Sequence, residues 1–169
     1  NADPKRTEYD DVKLIGASDV LSNLLTPEGV LTKQQPDLQA EQDIARAIEV
    51  AKTLGRLDVG QAVIVQEGLV LGVEAIEGTD ALIARAKETS REGAGGVLVK
   101  LAKPQQDSRY DLPSIGAQTI QNAHEAGLAG IAIESGRSLL LERESTVEAA
   151  DMTGLFIVGL PQQEDAANE

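Results

Sequence analysis

The sequence predicts an α/β fold: a single compact domain with a mixed β-sheet flanked by helices. Short β-rich runs alternate with helical stretches along most of the chain, the mark of a sheet covered by helices. Inside that alternation, Gln61–Gln66 and Leu69–Ala75 flank Glu67-Gly68 as a hairpin would, which adds an antiparallel pair and makes the sheet mixed. The length of 169 residues suits one domain on the usual scale of roughly 100–200, and 41% hydrophobic residues can fill its core.

The elements follow in order. Asn1-Ala2 resembles the scar of a cleaved tag, and residues 1–10 are expected to be that scar plus a disordered lead-in. The absence of an initiator Met points to a fragment of a longer protein. The folded domain is expected over 11–160, with a linking segment over 11–36 and a flexible acidic tail over 161–169. Val12–Gly16 is a first strand. Ser18–Leu25 is a short helix closed by the Thr26-Pro27-Glu28-Gly29 turn. Asp37–Leu54 is the clearest helix. Ile44, Ala47, Ile48, Ala51 and Leu54 share one face, Glu41, Asp43 and Glu49 fall on the other, and Gly55 suits the position just past the end.

Beyond the hairpin, Asp80–Ser90 is a helix with Thr79 as its cap. Gly93-Ala94-Gly95-Gly96 is a turn, because it precedes a strand and lacks the order of a dinucleotide fold. Val97–Leu101 is an interior strand and Ala102–Leu112 a polar loop. Ser114–Ala126 is a third helix ending at Gly127, and Ala129–Glu134 a second interior strand. Ser138–Leu141 is a strand, Ser145–Met152 a last helix and Leu155–Gly159 a last strand.

Composition excludes several classes. No apolar run reaches the roughly 20 residues of a membrane helix. Cysteine is absent and His124 is the sole histidine, which excludes disulfides, a thiol nucleophile and a structural zinc site. His124 suits a helix end, and no serine triad is credible around it. The aromatic residues are Tyr9, Tyr110 and Phe156, and the net charge is −13. Nucleic acid is therefore not an expected partner.

Ligands in such sheets bind beyond the carboxyl ends of the strands. Two polar clusters fall there. In the first, a strand delivers Glu74, and Glu77, Thr79 and Asp80 stand at a helix entry, which suits a phosphate or Mg²⁺. A capped helix with solvated acids would look the same. In the second, Lys100, Lys103 and Arg109 frame Gln105, Gln106, Asp107 and Asp111 on a loop stiffened by Pro104 and Pro113. This suits a phosphate ester with a metal or water. A surface loop with locally paired charges is the bland alternative.

Several separated motifs then resemble one family. They are Leu57-Asp58-Val59-Gly60-Gln61, Val73 to Asp80, Lys103 to Gly116, Ala126 to Ile131 and Gly154 to Gly159. The chain resembles the LpxI-type UDP-2,3-diacylglucosamine pyrophosphatases of lipid A biosynthesis from about Asp11 to Gly159, as their C-terminal hydrolase domain. The resemblance implies Mg²⁺-dependent hydrolysis of the pyrophosphate of UDP-2,3-diacylglucosamine to lipid X (2,3-diacylglucosamine 1-phosphate) and UMP. It implies an N-terminal domain as an intramolecular partner, without which part of the substrate site is missing. It places the protein in the cytoplasm of a Gram-negative bacterium, at most peripheral to the inner membrane. The family's essential aspartate lies in an Arg-x-Asp-Leu-Pro motif, here Arg109-Tyr110-Asp111-Leu112-Pro113, so the catalytic assignment falls on Asp111.

The resulting site has Asp111, Glu77 and Asp80 as metal candidates and Lys100, Lys103, Arg109, Gln61 and Thr79 as substrate-binding candidates. Asp111 suits a Mg²⁺ ligand, a general base or a helix cap near Ser114 and Ile115. The competing functional class is a non-catalytic nucleotide- or sugar-phosphate-binding module, with a structural dimerisation domain as a third. A homodimer remains open.

Overall fold

The computed structural model describes residues 22–104 and 112–163. The elements in chain order are β1 (Gly29–Val30), α1 (Leu38–Arg56), β2 (Ala62–Gln66), β3 (Leu69–Val73), α2 (Thr79–Thr89), β4 (Val97–Lys100), β5 (Ser114–Ile115), α3 (Ala117–Glu125), β6 (Gly130–Glu134), β7 (Leu139–Leu140), α4 (Arg143–Thr153) and β8 (Phe156–Leu160). Six strands form one sheet in the order β1-β8-β6-β4-β2-β3. Strands β8, β6 and β4 are parallel, while β2 runs against both β4 and β3, and β1 runs against β8. The expected mixed α/β sheet is therefore present. The Val12–Gly16 strand, the start of the Ser18–Leu25 helix, Arg109, Asp111 and the end of the acidic tail lie outside the described residues.

The two apolar runs without alternation become β4 and β6 in the middle of the sheet, buried throughout. Such strands must bury both faces, and helices cover both. On one face, Ala40, Ile44, Ala47 and Ala51 of α1 pack on Val63, Val65, Val97 and Val99. On the other, Leu82, Ile83, Ile120 and Ala150 of α2, α3 and α4 pack on Ile64, Leu98, Ile131 and Ile157. Ile48 is half-buried at the border of the α1 stripe. Ile48→Asp should cost about 2 kcal/mol, read as a lowered midpoint in chemical denaturation.

Helix α1 starts as expected, with Asp37 Oδ1 accepting from the Ala40 N–H at 2.8 Å. It ends later than expected, at Arg56, so Gly55 lies inside it. A Cβ at Gly55 would meet Pro104 Cδ at 3.4 Å, an ordinary van der Waals contact, so this glycine is a helix residue packed beside Pro104 and not a helix stop. Asp43 is the other correction on α1. It does not face solvent but is 1% exposed. Its carboxylate accepts from the Glu67 and Gly68 N–H groups at 2.9 and 2.8 Å. Those two residues form the β2–β3 turn, both with positive φ (49° and 80°), as a type I′ turn requires.

Helix α2 is capped by Gly78, not Thr79, which is its first residue. The third helix is shorter than expected: it starts at Ala117 after Gly116, and Ser114–Ile115 forms strand β5 instead. Strand β5 pairs in parallel with β7, far along the chain, in a separate two-stranded sheet. Among the described residues, no helix is long and apolar enough to cross a membrane.

Candidate active site

The pairing directions put the carboxyl ends of β3, β4, β6 and β8 on one edge of the sheet, beside the start of β2. That is where a sheet of this kind exposes side chains without a covering strand. Gln61, Glu74, Lys100 and Glu134 all stand at these strand ends.

Glu74 is the organiser of the β2–β3 side. It is buried. One carboxylate oxygen accepts from the Thr79 hydroxyl at 2.9 Å and the other from the Gln61 N–H at 3.2 Å. The structure thus brings two of the sequence-predicted binding residues, Gln61 and Thr79, onto one carboxylate. Gln61 Oε1 is buried and has no hydrogen-bond partner among the described residues. A buried acceptor left without a donor is costly, and it is a hard oxygen of the type that a cation or a ligand donor satisfies. The Gly60 hydrogen faces the Glu74 carbonyl so closely that any Cβ would collide with it. Gly60→Ala should therefore displace the Glu74 main chain and cost about 2 kcal/mol in denaturant melts.

Lys100 ends β4 and is only 7% exposed. Its Nζ donates to the Ser114 carbonyl at 3.1 Å, tying β4 to the chain that follows the 105–111 segment. Lys103 lies on the preceding side of that segment and pairs with Asp58 at 2.8 Å. For Lys103 the locally paired reading is thus present in the geometry. The described chain on both sides of 105–111 is anchored at the carboxyl edge. Arg109 and Asp111 themselves lie outside the described residues.

Glu77 and Asp80 point elsewhere. Glu77 pairs with Arg85 at 2.5 Å and accepts from the Ala75 N–H at 3.0 Å. Its own backbone N–H, aided by that of Ala75 and by Arg85, holds its carboxyl below the usual value. Asp80 accepts from Asn122 Nδ2 at 3.1 Å, across the α2–α3 contact. Among the described residues, no group of three or more His, Asp or Glu side chains stands close enough to hold a metal.

The sequence reading missed Glu134. It is 1% exposed and its oxygens accept from the Ala102 and Gln163 N–H groups at 3.0 and 2.9 Å. Arg137 lies 3.5 Å away as its counter-ion. The available signal was an acid closing an otherwise apolar run, Gly130-Ile131-Ala132-Ile133-Glu134, at the carboxyl end of an interior strand.

An α/β domain with cations and buried carboxylates gathered at one carboxyl edge is, as a class, suited to binding phosphorylated ligands. The comparisons narrow the class. The family described as LpxI C-terminal domain matches residues 27–158, and the chain belongs to that family. The chain is also similar to the UDP-2,3-diacylglucosamine pyrophosphatase LpxI of Caulobacter vibrioides, at 45% identity over 163 residues. That match covers 93% of this chain and 58% of the relative, so the chain spans less than two thirds of the length of the protein it resembles.

Proposed function

We propose that this chain carries out the hydrolytic step named for its relative: cleavage of the pyrophosphate of UDP-2,3-diacylglucosamine to lipid X and UMP, in lipid A biosynthesis. The observation that carries the proposal is the 45% identity to the Caulobacter pyrophosphatase across 93% of this chain, on top of family membership. The carboxyl edge supplies chemistry that fits. Water attacks one phosphorus, the bridging P–O bond breaks, and negative charge grows on the departing phosphate. In this reading Lys100, with Arg109 nine residues further along the sequence and Lys103 on exchanging Asp58 for substrate, neutralises that charge where it develops.

Asp111 lies three residues before Ser114, whose carbonyl Lys100 holds. Its role in the proposal is to orient the attacking water and draw off its proton, or to hold Mg²⁺. When bound, Mg²⁺ polarises a phosphoryl oxygen and acidifies a bound water. The buried Gln61 Oε1 is a hard oxygen suited to that ion, and Asp111 would be its carboxylate ligand, with Glu77 and Asp80 the further candidates. Recruiting those two requires them to leave Arg85 and Asn122. Gln61 and Thr79, fixed on Glu74, remain substrate-binding candidates.

The lipid substrate puts the reaction at a membrane surface, and the proposed location is the cytoplasm with peripheral contact to the inner membrane. The net charge of −13 opposes tight adhesion to anionic lipid. The test is UMP release from UDP-2,3-diacylglucosamine, with and without Mg²⁺, using the full-length Caulobacter relative as positive control. Metal-dependent UMP release supports the proposal. Saturable binding without turnover would mean a nucleotide- or sugar-phosphate-binding module instead.

A further inference from the structure

At the carboxyl edge, two short loops turn large apolar side chains out into solvent. Leu57 and Val59 stand between α1 and β2, and Ile76 stands between β3 and α2. Ile76 is fully exposed, and Leu57 and Val59 are exposed as well. The loops adjoin: a Cβ on Gly60 would collide with the Glu74 carbonyl, and the Gln61 N–H donates to the Glu74 carboxylate. Single exposed apolar side chains are ordinary on a protein surface, but three on two joined loops form a patch.

The backbone beneath the patch is tied down, so these side chains are held in solvent by a fixed frame. The Leu57, Asp58 and Val59 N–H groups donate to the Thr53, Gly55 and Leu54 carbonyls at the end of α1. Asp58 pairs with Lys103. On the other loop, the Ala75 N–H donates to Glu77, and Arg85 donates to both Glu77 and the Val73 carbonyl. The acids on the two loops, Asp58, Glu74 and Glu77, are all engaged in this way. In a chain of net charge −13, an apolar patch whose own acids are engaged suits hydrocarbon. The patch is also continuous with the polar group. Glu74, which fixes Gln61 and Thr79, lies two residues before Ile76, and Gln61 lies two after Val59.

We infer that Leu57, Val59 and Ile76 are specificity residues that take the hydrocarbon of an acylated sugar phosphate while its polar head lies on the carboxyl edge. It rests on the pyrophosphatase reading for the placing of the head, and it adds which surface reads the acyl chains. An amphiphile needs polar and apolar contacts side by side, and these two loops supply both at one edge. Covering two side chains of this size with hydrocarbon supports about a tenfold gain in affinity.

The test is calorimetric titration of the 169-residue chain with lipid X, kept below its critical micelle concentration, and with glucosamine 1-phosphate. Lipid X should bind at least about tenfold more tightly than glucosamine 1-phosphate. The double variant Leu57→Ser/Ile76→Ser should remove about that factor for lipid X and leave the affinity for glucosamine 1-phosphate as it was. Its melting temperature should be unchanged, because both side chains are exposed. Leu38→Ser/Met152→Ser removes two exposed apolar side chains elsewhere, at the start of α1 and near the end of α4, and should change neither affinity. Equal lipid X affinity in Leu57→Ser/Ile76→Ser, an equal loss in Leu38→Ser/Met152→Ser, or no advantage of lipid X over glucosamine 1-phosphate would overturn the inference. So would a dimer that Leu57→Ser/Ile76→Ser dissociates, which gives the patch to a second copy. Flotation with phosphatidylethanolamine vesicles that the same variant abolishes would give it to the bilayer, with the same consequence. UMP release measured on the same proteins keeps the two readings distinct. Turnover with lipid X affinity unchanged in Leu57→Ser/Ile76→Ser defeats the inference alone, and acyl-dependent binding without turnover defeats the pyrophosphatase reading alone.

Discussion

Asp111→Asn is expected to lower UMP release at least about a hundredfold while leaving the melting temperature unchanged. Asparagine keeps the size and polarity of the side chain. It removes the negative charge that a Mg²⁺ ligand needs and the basic oxygen that a proton acceptor needs. It also retains most of the capping ability of aspartate, so a capping role would survive the change. The fold weakens the capping explanation further. The helix that was expected to begin at Ser114 begins at Ala117 with Gly116 as its cap, and Ser114–Ile115 is a strand. The variant should still bind substrate, because the cationic side chains are untouched. Near-normal turnover in Asp111→Asn would remove the aspartate from the chemistry.

The largest expected effect on stability is at Asp43. Asp43→Ala should cost about 3 kcal/mol in urea unfolding, because hydrogen bonds to a charged acceptor are worth more than neutral ones. The carboxylate holds the Glu67 and Gly68 N–H groups and also accepts from Gln39 Nε2 at 3.1 Å. It stabilises a turn in which Glu67, a residue with a Cβ, sits at φ 49°. Asp43→Asn keeps one acceptor and should recover part of the loss. A change below about 0.5 kcal/mol in Asp43→Ala would show that the β2–β3 turn holds itself without the helix.

Asp43 also shows where sequence reasoning stops. The sequence reading assigned it to the polar face, yet one turn before Ala47 it stands at the border of the apolar stripe. What buries it is the turn of a hairpin some two dozen residues on, which no local period encodes. The opposite case is β4 and β6. Their unbroken apolar runs are dictated by burial on both faces, so composition alone places them in the sheet interior. The hairpin was legible because a type I′ turn demands positive φ at Gly68. Strand β5 was not, since two residues paired to Leu139 and Leu140 carry no alternation of their own.

The candidate site divides in the same way. Lys100 and Thr79 were legible as polar residues at element ends and Gln61 through its motif; Gln61 and Thr79 meet on Glu74, while Lys100, at the same edge, holds the Ser114 carbonyl. Glu134 was placed as the last residue of a strand but not as a site residue, because what engages its carboxylate, the Ala102 and Gln163 N–H groups, comes from distant chain segments. Glu77 and Asp80 had the right spacing for a ligand pair, but spacing does not fix direction, and Arg85 and Asn122 engage them.

The central claim is that this carboxyl edge serves cleavage of a pyrophosphate bond. Phosphorus-31 NMR of a turnover mixture with UDP-2,3-diacylglucosamine and Mg²⁺ tests it most directly, because each bond that can break leaves a different pair of signals. The account predicts loss of the diphosphate resonances with growth of two monoester resonances in equal amount, from UMP and lipid X. Persistence of a diphosphate signal as free UDP, or an unchanged substrate spectrum with an active relative alongside, would contradict it.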